Sequence, residues 1–155
     1  MKYVVKLIQA NVISRNHRVY TDEAIKKIMR QFNANSFPVY KTLTEYFNDD
    51  LLKQKNRIGT TLKNSYIKDD CLYVEMDIKA TPPLNNIAIS LTGEESLPTS
   101  DDQHKYKFMF PEECSDYLYR IAKPAEVKDL FFCSDHAYFK ECNFKKKENL
   151  IIDNE

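Results

Sequence analysis

The chain has 155 residues, enough for one domain that buries roughly 70% of the surface its unfolded form exposes, so its core needs no covalent staple. Lys plus Arg and Asp plus Glu each total 23, and a formal charge of zero excludes the long-range field that draws nucleic acid or an anionic membrane. No apolar run nears the roughly 20 residues of a membrane span, and partners must be recognised by shape.

In chain order, "KYVVKLIQANVI" (Lys2 to Ile13) is rich in β-branched residues and predicts a long first strand. Its apolar core is too short for a signal peptide and no small-residue cleavage site follows, so the expectation is a protein that is not secreted. The four cysteines, Cys71, Cys114, Cys133 and Cys142, are widely spaced, with no C-x-x-C pair and no His at metal-ligand spacing. Buried, reduced thiols are expected, with no metal and no cofactor. Ten Tyr and nine Phe without Trp suit a β-rich core.

After the polar break "SRNHR", the segment "VYTDEAIKKIMRQFN" predicts a helix. Thr21 caps it, Asp22 and Glu23 favour its positive end, and Ala24, Ile25, Ile28, Met29 and Phe32 form the buried stripe. "FPVYKTLTEYF" predicts a short strand with Pro38 at its start, and "NDDLLKQKN" a polar loop. Ile58 to Ile67 and Cys71 to Lys79 then form a hairpin turning at Lys68-Asp69-Asp70. Leu72, Val74, Met76 and Ile78 face the core, and Tyr73, Glu75, Asp77 and Lys79 face water. Asn86 to Thr92 predicts another strand, and residues 93–105 a mobile loop.

The last third reads as a strand, "KYKFMF", a helix, "PEECSDYLYRIA", and a second hairpin, "EVKDLFFCSDHAYFKECNF". Residues 1–144 are expected to form one domain and residues 145–155 a charged C-terminal arm. Leu150, Ile151 and Ile152 give that arm an apolar tip, fit either to dock on its own domain or to add to a neighbour's sheet edge. The fold class expected is α+β, a small mainly antiparallel β-barrel or strongly curved sheet with two flanking helices.

Three segments carry a resemblance. "NHRVYTDEAIKKIMRQFN" resembles the N-G-R-V-Y-P segment and helix that follow the first strand in phage prohead maturation proteases. "NRIGTTLKNSYIKDDCLYVEMDI" is similar to their I-G-x-V strand, turn and G-L-Y-V-E return strand, and "IAISLTG" stands where they carry S-x-G with the nucleophilic serine. The resemblance spans residues 3–93 and rests on order and spacing as well as residue type. It implies a small barrel related to the herpesvirus assemblins, serine proteases that cut scaffold and capsid precursors with a Ser, a His and a third acidic or histidine residue.

Carried over, Ser90 takes the nucleophile's place and Glu141 is the candidate third residue. The histidine is missing. Where the family has it, this chain reads "LTEYFNDD", with Tyr46 or Phe47 at the matching position. Tyr, with a pKa of about 10, is a poor base at neutral pH, and Phe is none. A serine hydroxyl without a base is a feeble nucleophile. Of the three histidines, His17 precedes the helix, His104 lies in the loop and His136 at a hairpin tip. Ser90, between Ile89 and Leu91, also reads as a plain strand residue.

The expectation is therefore a phage head protein with a vestigial serine site, met in the virion or in the host cytoplasm during assembly. Its partners would be capsid or other virion proteins or a second copy of itself, not nucleic acid and not a membrane. An active maturation protease with a relocated base, or a phage module aimed at a host protein, are the alternatives.

Overall fold

The computed structural model describes residues 1–14, 17–44, 47–109, 119–134 and 150–152. Within them the alternating segments become strands β1 (Lys2–Gln9), β2 (Arg18–Val19), β3 (Pro38–Tyr40), β4 (Arg57–Lys68), β5 (Cys71–Ile78), β6 (Asn86–Ser96), β7 (Arg120–Cys133) and β8 (Leu150–Ile152). The helices are α1 (Asp22–Ala34), α2 (Asp50–Lys55) and α3 (Ser100–Met109). The class is the expected α+β. One mixed sheet runs β2-β7-β3-β4-β5-β1-β8, with β6 on β7, and curls into a half-barrel. The curl is the accumulated right-handed twist of the strands.

The β4–β5 hairpin follows its pattern closely. Leu72, Val74, Met76 and Ile78 are buried while Tyr73, Glu75 and Asp77 lie on the wetter face. Asp69 and Asp70 turn the chain with φ of 52° and 61°, the paired left-handed conformations that match strand twist in a two-residue turn. Across the outer face Tyr66 stacks on Tyr73 with ring centroids 5.1 Å apart, and the Lys6 ammonium sits 5.7 Å from the Tyr73 ring.

Helix α1 forms as expected. The Thr21 hydroxyl accepts from the Ala24 N–H at 3.2 Å, and Ala24, Ile25, Ile28 and Phe32 are buried. This stripe meets Val5, Leu7, Val39, Leu72, Val74 and Leu130 in the main core. Burying each large aliphatic side chain there contributes roughly 1.5–3 kcal/mol. Polar groups fix where the helix lies. The Asn33 side-chain Oδ1 accepts from both the Ser65 N–H and hydroxyl at 2.8 and 2.6 Å. The Gln31 side chain donates to Ala125 O and accepts from Val127 N–H. It serves the β7 edge between the stretches that β2 and β3 pair, where a strand would otherwise stand.

Several expectations change. The first strand ends at Gln9, because Asn11 takes φ 63° and its N–H turns to the Tyr20 carbonyl. The polar loop after residue 47 contains α2, capped by the Asp49 carboxylate on Leu52 N–H. The mobile loop and the "KYKFMF" strand give way to an extended β6 and to α3. Thr99 and Asp102 cap each other reciprocally at the helix start, and Tyr106 is buried beside Ile13, Val19, Tyr119 and Ile121. The second expected helix does not reach Ala122, since β7 begins at Arg120 to pair with both β2 and β6. Its residues 111–118, and the return strand expected after residue 134, lie outside the described residues.

Leu150 to Ile152, open between two sheets in the sequence, pair antiparallel with Val5 to Tyr3 of their own β1. Both glycines stand at close backbone approaches. An added Cβ at Gly59 would meet Asp77 O at 2.5 Å, and one at Gly93, where φ is +153°, would meet Lys123 O at 2.5 Å.

Candidate functional site

Antiparallel pairing of β6 with β7 assembles the site. Ile87 and Ile89 oppose Phe132 and Leu130 and face the main core. The alternate residues Ala88 and Ser90 therefore face the other side, where Ser90 is directly opposite Asp129. Immediately beyond this pair the register slips. Leu91 opposes Val127, leaving Lys128 as the extra residue of a β-bulge. A second shift follows between Leu91 and Gly93, where the Thr92 hydroxyl accepts from Glu126 N–H at 3.0 Å. Bulges of this kind re-aim side chains, and Lys128 joins Ser90 on the wall of one depression.

That depression holds about 250 Å³ and is also lined by Leu43, Thr44, Leu91 and Phe131. Part of its wall comes from the described residues 41–44 and 47–56, which leave the sheet between β3 and β4 and are joined at the neck by Lys41 N–H on Asn56 O at 2.8 Å. Three contacts hold this segment down. Thr44 Oγ1 is 3.4 Å from Asp129 Oδ2, Phe47 meets the Tyr40 ring edge-on at 6.0 Å, and Lys53 Nζ lies 5.7 Å from that ring. Helix α2 buries no side chain, and Leu51 is 61% exposed.

Asp129 is the chemical centre of this arrangement. Only 3% of its surface is exposed, and burial pushes its carboxyl above the ordinary range. The nearby Ser90 and Thr44 hydroxyls and the Lys53 and Lys128 ammoniums act the other way without cancelling the shift. Its Oδ1 has no hydrogen-bond partner. The same carboxylate, after burial, raises the Tyr40 phenol.

Asp129 is the acidic residue opposite Ser90; Glu141, the candidate third residue, lies outside the described residues, as do Tyr46 and His136. Phe47 sits on the segment between β3 and β4, its N–H bonded to Thr44 O at 3.0 Å. The two described histidines are elsewhere. His17 accepts from Arg120 N–H through its carbonyl, nine residues along β7 from Asp129, which is about 30 Å of extended strand. His104 belongs to α3, whose Lys105 and Tyr106 bond Asn11 at the same far end. Among the described residues, no cluster of His, Cys, Asp or Glu is arranged to hold a metal, and no helix is long and apolar enough to cross a membrane.

A hydroxyl opposite a buried carboxylate is not activated by that alone. Even with its pKa raised by burial, a carboxylate is a poor match for an alcohol proton. The bulge backbone and the Lys128 ammonium supply polarity beside Ser90, and the apolar lining can seat a side chain or an extended segment.

No family model matches the chain, and no curated protein matches it in sequence. Among solved structures it is similar to the bacteriophage T4 capsid assembly protease, with 11% identity and a TM-score of 0.46 over 84% of this chain and 81% of that one.

Proposed function

We propose that this chain is an assembly or structural component of a phage head, with a prohead-protease-like fold whose serine site no longer cuts. The observation that carries the reading is the partner of Ser90. Ser90 stands directly opposite the buried Asp129 across the β6–β7 register, Thr44 Oγ1 is 3.4 Å from Asp129 Oδ2, and the described histidines sit at the far end of β7. General-base help from a matched group is worth roughly 100- to 10,000-fold, and the serine and its base act as a unit. A serine served only by a carboxylate forgoes most of that. The motif resemblance over residues 3–93 supports the head context, and the balanced charge supports partners met through shape rather than through a field. Such partners would be capsid or other virion proteins, met in the particle or in the host cytoplasm during assembly.

Ser90→Ala in the source phage tests this. Head yield and the masses of the head proteins should be unchanged, and accumulation of uncleaved precursor would refute the reading. A second reading, an active maturation protease using Asp129 directly, draws on the depression beside Ser90. It requires a capsid or scaffold precursor to be shortened on co-expression with this chain and to stay whole with the Ser90→Ala variant.

A further inference from the structure

Strand β8 is three residues long and stands at the end of the sheet path. Among the described strands it pairs with β1 alone, Leu150 opposite Val5, Ile151 opposite Val4 and Ile152 opposite Tyr3. Leu150 packs half-buried against the main core, and its N–H meets Asn85 O at 3.3 Å. Asn86, the next residue, pairs with Cys133 at the end of β7. One strand spacing, one residue step and one hydrogen bond therefore separate Cys133 from Leu150, about 15 Å in all. The connection between them, residues 134–149, reaches about 55 Å when extended. The closed arrangement needs less than a third of that reach, and the remainder is enough to carry β8 to the β1 edge of an adjoining molecule.

We infer that the edge of β1 is a strand-exchange site whose occupant is the Leu150–Ile152 segment of a second copy of this chain. The contacts made in trans are those the structure shows in cis, so complementarity is already given and concentration sets the balance. A tether of this length holds β8 beside its own β1 at an effective concentration on the order of 1 mM. Dilute molecules close on themselves, whereas copies crowded side by side exchange arms. Main-chain pairing along the edge supplies affinity, and Leu150 opposite Val5 at the core supplies register. Reciprocal exchange leaves neither β1 edge open. The inference rests on the reading that the chain serves by contact, and it names a second copy as one partner.

Val4 and Ile151 are directly opposed, at a separation that suits a disulfide when both are cysteine. Full chains carrying Val4→Cys alone and Ile151→Cys alone are mixed under oxidised glutathione. Peptide mapping separates the 4–151 link from links to the four native cysteines. At about 1 mM the mixed disulfide should form at least tenfold faster per molecule than at about 10 μM. Leu97→Cys, at an exposed position, should give only background when it replaces Val4→Cys in the mixture. The double variant Val4→Cys/Ile151→Cys should close on itself at the lower concentration. No mixed link at the higher concentration, an equal link with Leu97→Cys, or a double variant that does not close would each overturn the inference. Melting curves establish folding. Should a cysteine variant not fold, the unaltered chain titrated into a fluorescein-labelled peptide of residues 146–155 makes the same test. Saturable binding with a midpoint on the order of 1 mM is expected, lost when the peptide carries Ile151→Asp, and no binding overturns the inference. Failed exchange leaves the contact reading standing, whereas Ser90-dependent cleavage of a precursor refutes that reading and leaves the exchange result as it is.

Discussion

Burial raises the Asp129 carboxyl above its unfolded value, and the sign of the consequence follows from proton counting. Between the ordinary carboxylate pKa and the raised one, the folded chain binds more protons than the unfolded chain. Stability from this group therefore falls as pH rises through that window, and at pH 7 its burial is a standing cost. Asp129→Asn should melt above the unaltered chain at pH 7, with the difference shrinking as the pH is lowered through the acid range. A lower melting temperature at pH 7 would mean that the charge is better compensated than its burial implies. Nothing in "VKDLFF" distinguishes this aspartate from any other charge on a strand. Ser90 and Asp129 are 39 positions apart in number, and only the β6–β7 register makes them neighbours. The motif around Ser90 singles it out in the sequence, whereas nothing there singles out Thr44, which stands out only by its contact with Asp129.

Helix α1 shows how a few polar contacts place an apolar element. Its stripe was legible because spacings of three and four, a threonine cap and two acidic residues agree with one another. Its seating was not, because it depends on Asn33 and Gln31 reaching backbone far away in sequence. Asn33→Leu strands the buried Ser65 N–H, while the hydroxyl keeps Met29 O at 3.2 Å, an expected loss of about 1–3 kcal/mol in urea unfolding. A loss under about 0.5 kcal/mol, the range of ordinary surface changes, would mean that water or relaxation satisfies Ser65 equally well. Elements decided by local caps rather than by hydrophobic period were the ones misread. α3 carries polar and aromatic residues in no clean period, and the reciprocal Thr99–Asp102 cap and the burial of Tyr106 decide for helix. The short helix α2 sits where nothing apolar is buried, so no period existed to find.

For the molecule as a whole, the curled sheet explains how one end can be stabilised without touching the other. The Tyr106 cluster closes the β2 end of β7, and the segment beside Ser90 lies at the β3 end. The α+β class and the central hairpin were legible because alternation specifies both. The strand order was not, because β2 and β3 join β7 in parallel across long stretches of chain. The role proposed for the chain is that of a phage-head component that makes contacts rather than cuts. Quantitative mass spectrometry of immature and mature heads from the source phage tests it most directly, by counting copies of this chain and reading its termini. The account expects many intact copies in mature heads. Copies confined to immature heads, with termini trimmed in a Ser90-dependent way, would contradict it.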